Sequence, residues 1–576
     1  MQLHRTVSPR SSAGSDTLLA PPAGHSRIRS VALELGGGAA ALVLGLAALA
    51  HVVLSARSVV FFTNGDSVLM PLIERSLREG QPFDWALSSV LFFVPEIPVY
   101  AAVSLFFPDP HAAMLVNALV IVVALYALLR GLVAVVARHA GRLTRILVAL
   151  VPVAILLGGT LLEHDPGRDG LELVSLFLTT SYYYGTTLAM VASFALVIAS
   201  VAGRSARSRR AALVGLGIVT ALAVLSNPLI LLWAVAPSIL TLALLLRRRS
   251  FPLRAALVPT AVLVAATLVG YLLRVPFRAH IARSMGAYFH LGAWHRSAQT
   301  FIDEFFGTAA GWQGSIEMTL LAVALAGTFA LAIVALVRRW PTRIALGLVI
   351  PAVSILVTVA GSVVLGETAT RYLMPLFFAP ACSAVVLLVH ALERFPERSG
   401  VALPRDGASA PMGRRILAVA LIAGAVIGVA SVRVTTTAPS TQAYAPATCL
   451  SNWIGGRDLT GAGEFWTIRA LQAYGDSSVK LLQIGSGYGA HVWLENAADD
   501  RGQDISYLVT DDRSVYGTSP LQKLGAPAQT ITCGQYTILD YQGTPGELRL
   551  SQHVAATAAA VIARDGLVSS RKPLPN

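Results

Sequence analysis

Lysine is nearly missing from this chain. Among 576 residues there are three, Lys480, Lys523 and Lys572, all beyond residue 434. Any cation in the first 433 residues is therefore Arg or His. Charge of either sign is scarce: 13% of residues are charged and 55% are hydrophobic, about half the usual ~25% charge of a soluble domain. No convincing internal repeat is seen. No cleavable signal pattern opens the chain, because the first apolar stretch is too long and lacks a small-residue cleavage site. The formal charge of +13 resides mostly in arginine clusters between apolar runs. That pattern reads as membrane topology and anionic-lipid contact and excludes a nucleic-acid partner.

What is present is a succession of long apolar runs. Stretches of at least about 18 residues are transmembrane candidates, and eleven fall at about 31–54, 112–136, 144–162, 176–201, 211–226, 228–246, 255–273, 316–337, 344–366, 372–392 and 415–433. The arginines sit in alternate connections, at Arg138, Arg142 and Arg145; Arg204 to Arg210; Arg247 to Arg254; Arg338 to Arg343; and Arg394 to Arg415. Placing all of them in the cytoplasm with the N-terminus satisfies the positive-inside rule at every one of these arginine loops. The reading is a multi-pass plasma-membrane protein with its first 30 residues a disordered cytoplasmic tail. The loops 55–111, 163–170 and 274–315, and everything after 434, then lie outside. The stretch 394–414 reads as a flexible cytoplasmic linker.

One apolar run does not fit the alternation. Residues 89–107 (SVLFFVPEIPVYAAVSLFF) are long enough to cross, yet crossing would invert every later arginine loop. Pro95, Glu96 and Pro98 would also break the helix and bury a carboxylate. The segment is expected to fold back on the outer face, sheltered by protein or a water-filled cavity.

After Val434 the composition becomes that of a water-soluble α/β domain, residues 434–576. EFWTIRALQAY (464–474) predicts a helix; VKLLQI, HVWLEN, ISYLVT and QYTILDY predict strands. Cys449 and Cys533 are its only cysteines, and an outside location predicts a disulfide between them. Cys382 lies inside a span as a small apolar residue. LLQIGSGYG imitates a nucleotide-binding strand and glycine loop, but a strand-like run follows where that motif requires a helix.

Several residues carry chemistry. Asp66, in FFTNGDSVLMPLIERSLREG, either caps the helix that follows the Asn64-Gly65 turn or offers a carboxylate at the membrane surface as a base or metal ligand. Glu96, in FFVPEIPVY, is an acid in apolar surroundings, which points to a cavity, a partner or interfacial snorkelling. Glu163, His164 and Asp165 place carboxylates beside an imidazole and could bind a divalent metal, act as acid and base, or form a polar turn. Arg274, Arg278 and Arg283, with His280, His290, His295 and Arg296, oppose the positive-inside trend. Phosphate capture is one reason, interfacial anchoring by the neighbouring aromatics another. Arg371 and Tyr372, in ETATRYLMPLFFAP, add a cation at the outer end of a span. Tyr182 to Tyr184 line a cavity or form an interfacial belt, and Asn227-Pro228 predicts a tight turn.

The order of NGDSVLMPLIERSLREG, PEIPVYAAVSLFF, HAAMLVNALVIVVALYALLRGL and RYLMPLFFAP resembles the GT-C superfamily of polytopic membrane glycosyltransferases. The likeness covers the order of elements over residues 31–392 and is closest to the protein O-mannosyltransferase and aminoarabinose-transferase types. Two departures stand out: Asp66 is followed by Ser67 rather than a second acid, and Glu96 replaces one of two prolines. The resemblance implies inverting transfer of a sugar from a polyprenyl-phosphate donor to an extracytoplasmic glycan, lipid or protein. In that reading Asp66 is the base, and Arg371, Tyr372, Arg274, Arg278 and Arg283 meet the donor phosphate. A transporter or flippase, or a non-catalytic scaffold or sensor with an outer binding domain, remains an alternative from the residues alone.

Overall fold

A computed structural model describes residues 23–247, 251–283, 290–394, 410–438, 444–499 and 504–568. The expected tail before residue 23 and most of the 394–414 linker lie outside them. The helices run α1 (Ala23–Leu54), α2 (Leu69–Arg78), α3 (Glu96–Ser104), α4 (Pro110–Val136), α5 (Arg142–Gly159), α6 (Leu173–Phe177), α7 (Tyr184–Ala202), α8 (Ala206–Ser226), α9 (Ala236–Leu246), α10 (Leu253–Arg274), α11 (Trp294–Thr308), α12 (Trp312–Val337), α13 (Thr342–Leu365), α14 (Pro375–Arg394) and α15 (Ala410–Thr437). Among the described residues nine helices are long and apolar enough to cross a membrane, and Leu231–Leu246 and Ala423–Thr437 are shorter apolar helices. Each of the eleven expected runs coincides with one of these. The protein is a polytopic α-helical membrane protein.

One run starts late. Residues 176–183 do not extend α7 upwards; they form the short α6 and then an irregular turn in which Tyr183 adopts a left-handed φ of 59°. That backbone is buried in protein rather than lipid, which is where non-helical chain is tolerated.

The 89–107 run folds differently from a span. Only Glu96–Ser104 is helical there, nine residues, about 14 Å and too short to cross. The extended stretch before it finds partners on neighbouring helix ends. Leu87 N–H donates to the His280 carbonyl, Leu91 N–H to the Ser226 carbonyl, and Val94 N–H to Ser226 Oγ. Arg274 donates to the carbonyls of Ser89, Val224 and Leu225. These bonds replace the water that the segment lacks.

The C-terminal region adds α16 (Ala445–Ile454), α17 (Phe465–Tyr474), α18 (Pro520–Leu524) and α19 (Pro545–Asp565). Its strands, counted along the chain after β1 (Trp85–Ala86), are β2 (Thr460–Gly463), β3 (Lys480–Gln483), β4 (Glu495–Asn496), β5 (Ile505–Thr510), β6 (Gln529–Cys533) and β7 (Tyr536–Asp540). The sheet order is β3-β2-β5-β7-β6; the first three strands are parallel and the last two join antiparallel. Cys449 on α16 is bonded to Cys533 at the end of β6, with Cα atoms 5.6 Å apart. LLQIGSGYG enters β3 and then turns tightly, Gly485 N–H to the Gly489 carbonyl, so no helix follows the glycines. HVWLEN contributes only β4, and its partner is β1: Trp85 faces Asn496 and Ala86 faces Glu495. A strand from the first loop of the membrane domain thus pairs with the C-terminal domain.

The two ends of the bundle differ in charge. At one end Arg204 donates to the carbonyls of Ala137 and Arg138, and Arg343 pairs with Glu393. The other end carries the 55–111 loop, the 160–175 loop and the C-terminal domain.

Candidate active site at the head of the bundle

Asp66 does not cap a helix. The residue before α2 is Val68, with no side-chain cap, and the Asp66 carboxylate instead turns towards Arg168, Oδ2 to Nη1 at 3.5 Å. The Asn64-Gly65 turn sets this direction. Asn64 Oδ1 accepts from Asp66 N–H at 3.1 Å and from the Tyr182 hydroxyl at 2.8 Å. Ser181 Oγ donates to the Asp66 carbonyl at 2.6 Å. Gly65 is needed for close approach: a Cβ there would come within 2.6 Å of the Phe465 ring of α17.

The second wall is the loop 163–175, which is built around Arg57. This guanidinium is 1% exposed. It donates to Ser175 Oγ at 2.8 Å, to the carbonyls of Asp165 and Gly167 at 2.7 and 2.6 Å, and to the Glu172 carbonyl at 2.9 Å. Glu163 accepts from the amides of Val174 and Ser175 at the start of α6, and Glu172 from those of His164 and Asp165. Asp165 Oδ1 accepts from Gly167 N–H. The Glu163–His164–Asp165 group is therefore occupied in holding its own loop. Among the described residues no three His, Cys, Asp or Glu side chains are grouped to hold a metal ion. Towards Asp66 and Arg371 the loop presents Arg168 and Asp169.

Arg168 is the centre of the site. Besides Asp66, its guanidinium lies 3.4 Å from the ring centroid of Trp466 on α17. Arg371 reaches Asp169 at 3.5 Å, stands by the Tyr372 ring, and lies within the electrostatic reach of Asp66, Tyr182 and Tyr183. The site thus has two guanidiniums and two aspartates, Asp169 on the exposed rim and Asp66, which keeps 14% of its side-chain surface. Glu304 on α11 is near enough to Asp169 and Asp165 that burial, then their charge, holds its carboxyl above the usual range.

The C-terminal domain closes the site from above. Arg75 of α2 donates to the carbonyls of Gln472, Gly475 and Asp476 at the far end of α17. Tyr474 donates to the Phe62 carbonyl at 2.6 Å. Phe465 and Ala473 belong to the same apolar core as the membrane helices.

Glu96 is near but sealed. It is 2% exposed, Oε1 accepts from Gly185 N–H at 3.2 Å, and Oε2 has no partner among the described residues. Burial pushes its carboxyl up to about 7. The turn Ser181–Gly185 joins the two acids, meeting Asp66 at Ser181 and Tyr182 and Glu96 at Gly185. Of the expected phosphate-binding cations only Arg371, with Tyr372, comes to Asp66. Arg274 is buried on backbone carbonyls below α3, while Arg278 and Arg283 are exposed on the 275–283 segment. Residues 284–289 lie outside the described residues.

Sequence reasoning missed Arg168, Arg57 and Trp466. Arg168 had a signal, a cation in a loop on the side opposite the arginine clusters. Arg57, in the 55–111 loop, had the same signal; Trp466 had none, because its cation lies about 300 residues away in sequence.

Solved structures include a match. The crystal structure of ArnT from Cupriavidus metallidurans bound to undecaprenyl phosphate aligns with a TM-score of 0.47 and 12% identity, over 91% of this chain and 99% of that one. No protein-family model matches the chain, and no curated protein matches it. Likeness at this level assigns neither substrate nor activity.

Proposed function

We propose that the protein is a membrane glycosyltransferase that moves a sugar from a polyprenyl-phosphate donor to an extracytoplasmic acceptor. The supporting observation is the contact of a partly exposed Asp66 with Arg168, beside Arg371, beneath the C-terminal domain. Two fixed guanidiniums suit a phosphate, which they can meet through paired N–H donors. A donor phosphate would compete with Asp66 for Arg168. The released carboxylate then takes the proton of the acceptor hydroxyl as its oxygen bonds the anomeric carbon. The bond from that carbon to the phosphate oxygen breaks on the opposite face, the polyprenyl phosphate leaves with the electron pair, and the configuration inverts. Arg168 and Arg371 stabilise the negative charge on the leaving phosphate.

The arginine-rich end of the bundle faces the cytoplasm in this reading, by the positive-inside rule, so the site and the C-terminal domain face outward. The test is turnover of radiolabelled polyprenyl-phosphate sugars by the purified protein. Asp66→Asn should lower kcat by roughly a hundredfold or more. A variant within a few-fold of wild type removes Asp66 as the base.

A further inference from the structure

A carboxylate stands without a partner in the apolar wall of the bundle. Glu317 is 5% exposed, five residues into α12 and so about 8 Å along the helix from Trp312. Neither of its carboxylate oxygens has a hydrogen-bond partner among the described residues. It lines a groove of about 230 Å³ whose other walls are apolar, including Ile155 and Leu156 of α5, Leu320 of α12, and Phe377 and Pro380 of α14. Ile155 and Leu320 are also exposed at 67% and 58%, so the groove opens sideways towards lipid. Helix α14 packs against both α5 and α12 and forms the floor.

The charge around this groove is mostly negative. Glu317 is within the electrostatic reach of Glu163 and Glu172, and of one opposing charge, Arg57. The donors of Arg57 are already placed on Ser175, Asp165, Gly167 and Glu172. An anionic head group would be repelled, and a bare hydrocarbon chain would leave the acid unpaired whether ionised or protonated, an unfavourable state in apolar surroundings. A cation carrying N–H donors meets both needs.

We propose that this groove binds an ammonium-headed phospholipid of the surrounding leaflet, with the ammonium on Glu317 and an acyl chain between α5 and α12. The site requires nothing of the transfer reaction and stands whether or not the protein is a glycosyltransferase. Native mass spectrometry of the purified full-length protein tests it with three lipids of identical acyl chains. Phosphatidylethanolamine offers a cation with donors, phosphatidylcholine a cation without donors, and phosphatidylglycerol an anion. Wild type should bind phosphatidylethanolamine about tenfold more tightly than the other two, a difference of about 1.4 kcal/mol. Glu317→Gln, which preserves volume, should abolish that preference. Leu320→Trp, on the exposed rim of the groove, should weaken all three and decides the matter if the first variant fails to fold. Equal binding of the three lipids by wild type would overturn the proposal. So would a preference that survives Glu317→Gln, binding of all three lipids left unchanged by Leu320→Trp, or displacement of phosphatidylethanolamine from the groove by a polyprenyl phosphate.

Discussion

Replacing Arg57 by Met should release the loop that carries Arg168 while leaving the spans intact. The substitution removes four hydrogen bonds from one guanidinium and the guanidinium charge 4.0 Å from Glu163 and 3.4 Å from Glu172, leaving Glu172 only the His164 ring at 3.1 Å among the described ion pairs. Both acids keep their backbone amide donors, so the loop is weakened, not deprived of every bond. Breaking a buried pair from one side costs about 3–5 kcal/mol. Taken as loop opening, about 4 kcal/mol raises the open population by roughly a thousandfold at 1.4 kcal/mol per decade. Hydrogen exchange of the Val174 and Ser175 amides, which donate to Glu163, reads this directly. Burial, the largest influence, already holds the Glu172 carboxyl above its ordinary value, and Arg57 opposes that rise. Without Arg57 the acid gains a proton more readily, so the loss should be larger at pH 8 than at pH 5. Arg57→Lys should recover little, since one ammonium cannot span four separated acceptors. Unchanged exchange at Val174 and Ser175 in Arg57→Met, with a melting temperature within a degree of wild type, would refute Arg57 as the organiser of the site.

Three further outcomes follow from the geometry. Glu96 titrates near 7 in the folded protein against an ordinary 4.5. The folded state then holds more protons than the unfolded between those values, and stability falls as pH rises through that window, by on the order of 3 kcal/mol. Melting curves from pH 4 to 9 should show this slope in wild type and lose it in Glu96→Gln. Trp466→Ala removes a cation–π contact of about 0.5–2 kcal/mol. If Arg168 holds donor phosphate, the donor KM should rise roughly 2- to 30-fold with little change in melting temperature, and Trp466→Phe should recover part of it. The disulfide closes a loop of 84 residues, for which loop-closure entropy gives about 4–5 kcal/mol. Melting of the full-length protein with and without reductant should therefore separate clearly, and coincident curves would show that the C-terminal domain does not depend on the bond.

The spans were legible in the sequence because a lipid-facing helix must be apolar along its whole length. That constraint is local, and it set all eleven segments. It also set apart 89–107, where Pro95 and Pro98 forbid a straight helix. The helix 465–474 and the strands β3, β5 and β7 followed from short-range pattern in the same way. The pairing of β1 with β4 did not, since a two-residue strand has no periodicity of its own and its partner lies about 400 residues on. The site divided along the same line. Asp66 and Arg371 could be found as charges at the ends of apolar runs. Whether Asp66 caps α2 or faces a cation was undetermined by its neighbours, and the distant Arg168 with Trp466 above it decided the matter. Glu163 and Asp165 suggested chemistry by residue type, yet Arg57 and the α6 amides bind them into structure. Glu317 went unnoticed inside a long apolar run, which tolerates one acid without losing its character as a span. Only the packing of α5, α12 and α14 shows that this acid faces a groove with no partner. Local composition fixes where the chain can enter the membrane; which charges meet depends on contacts between segments far apart in sequence, and those form only once the helices have packed.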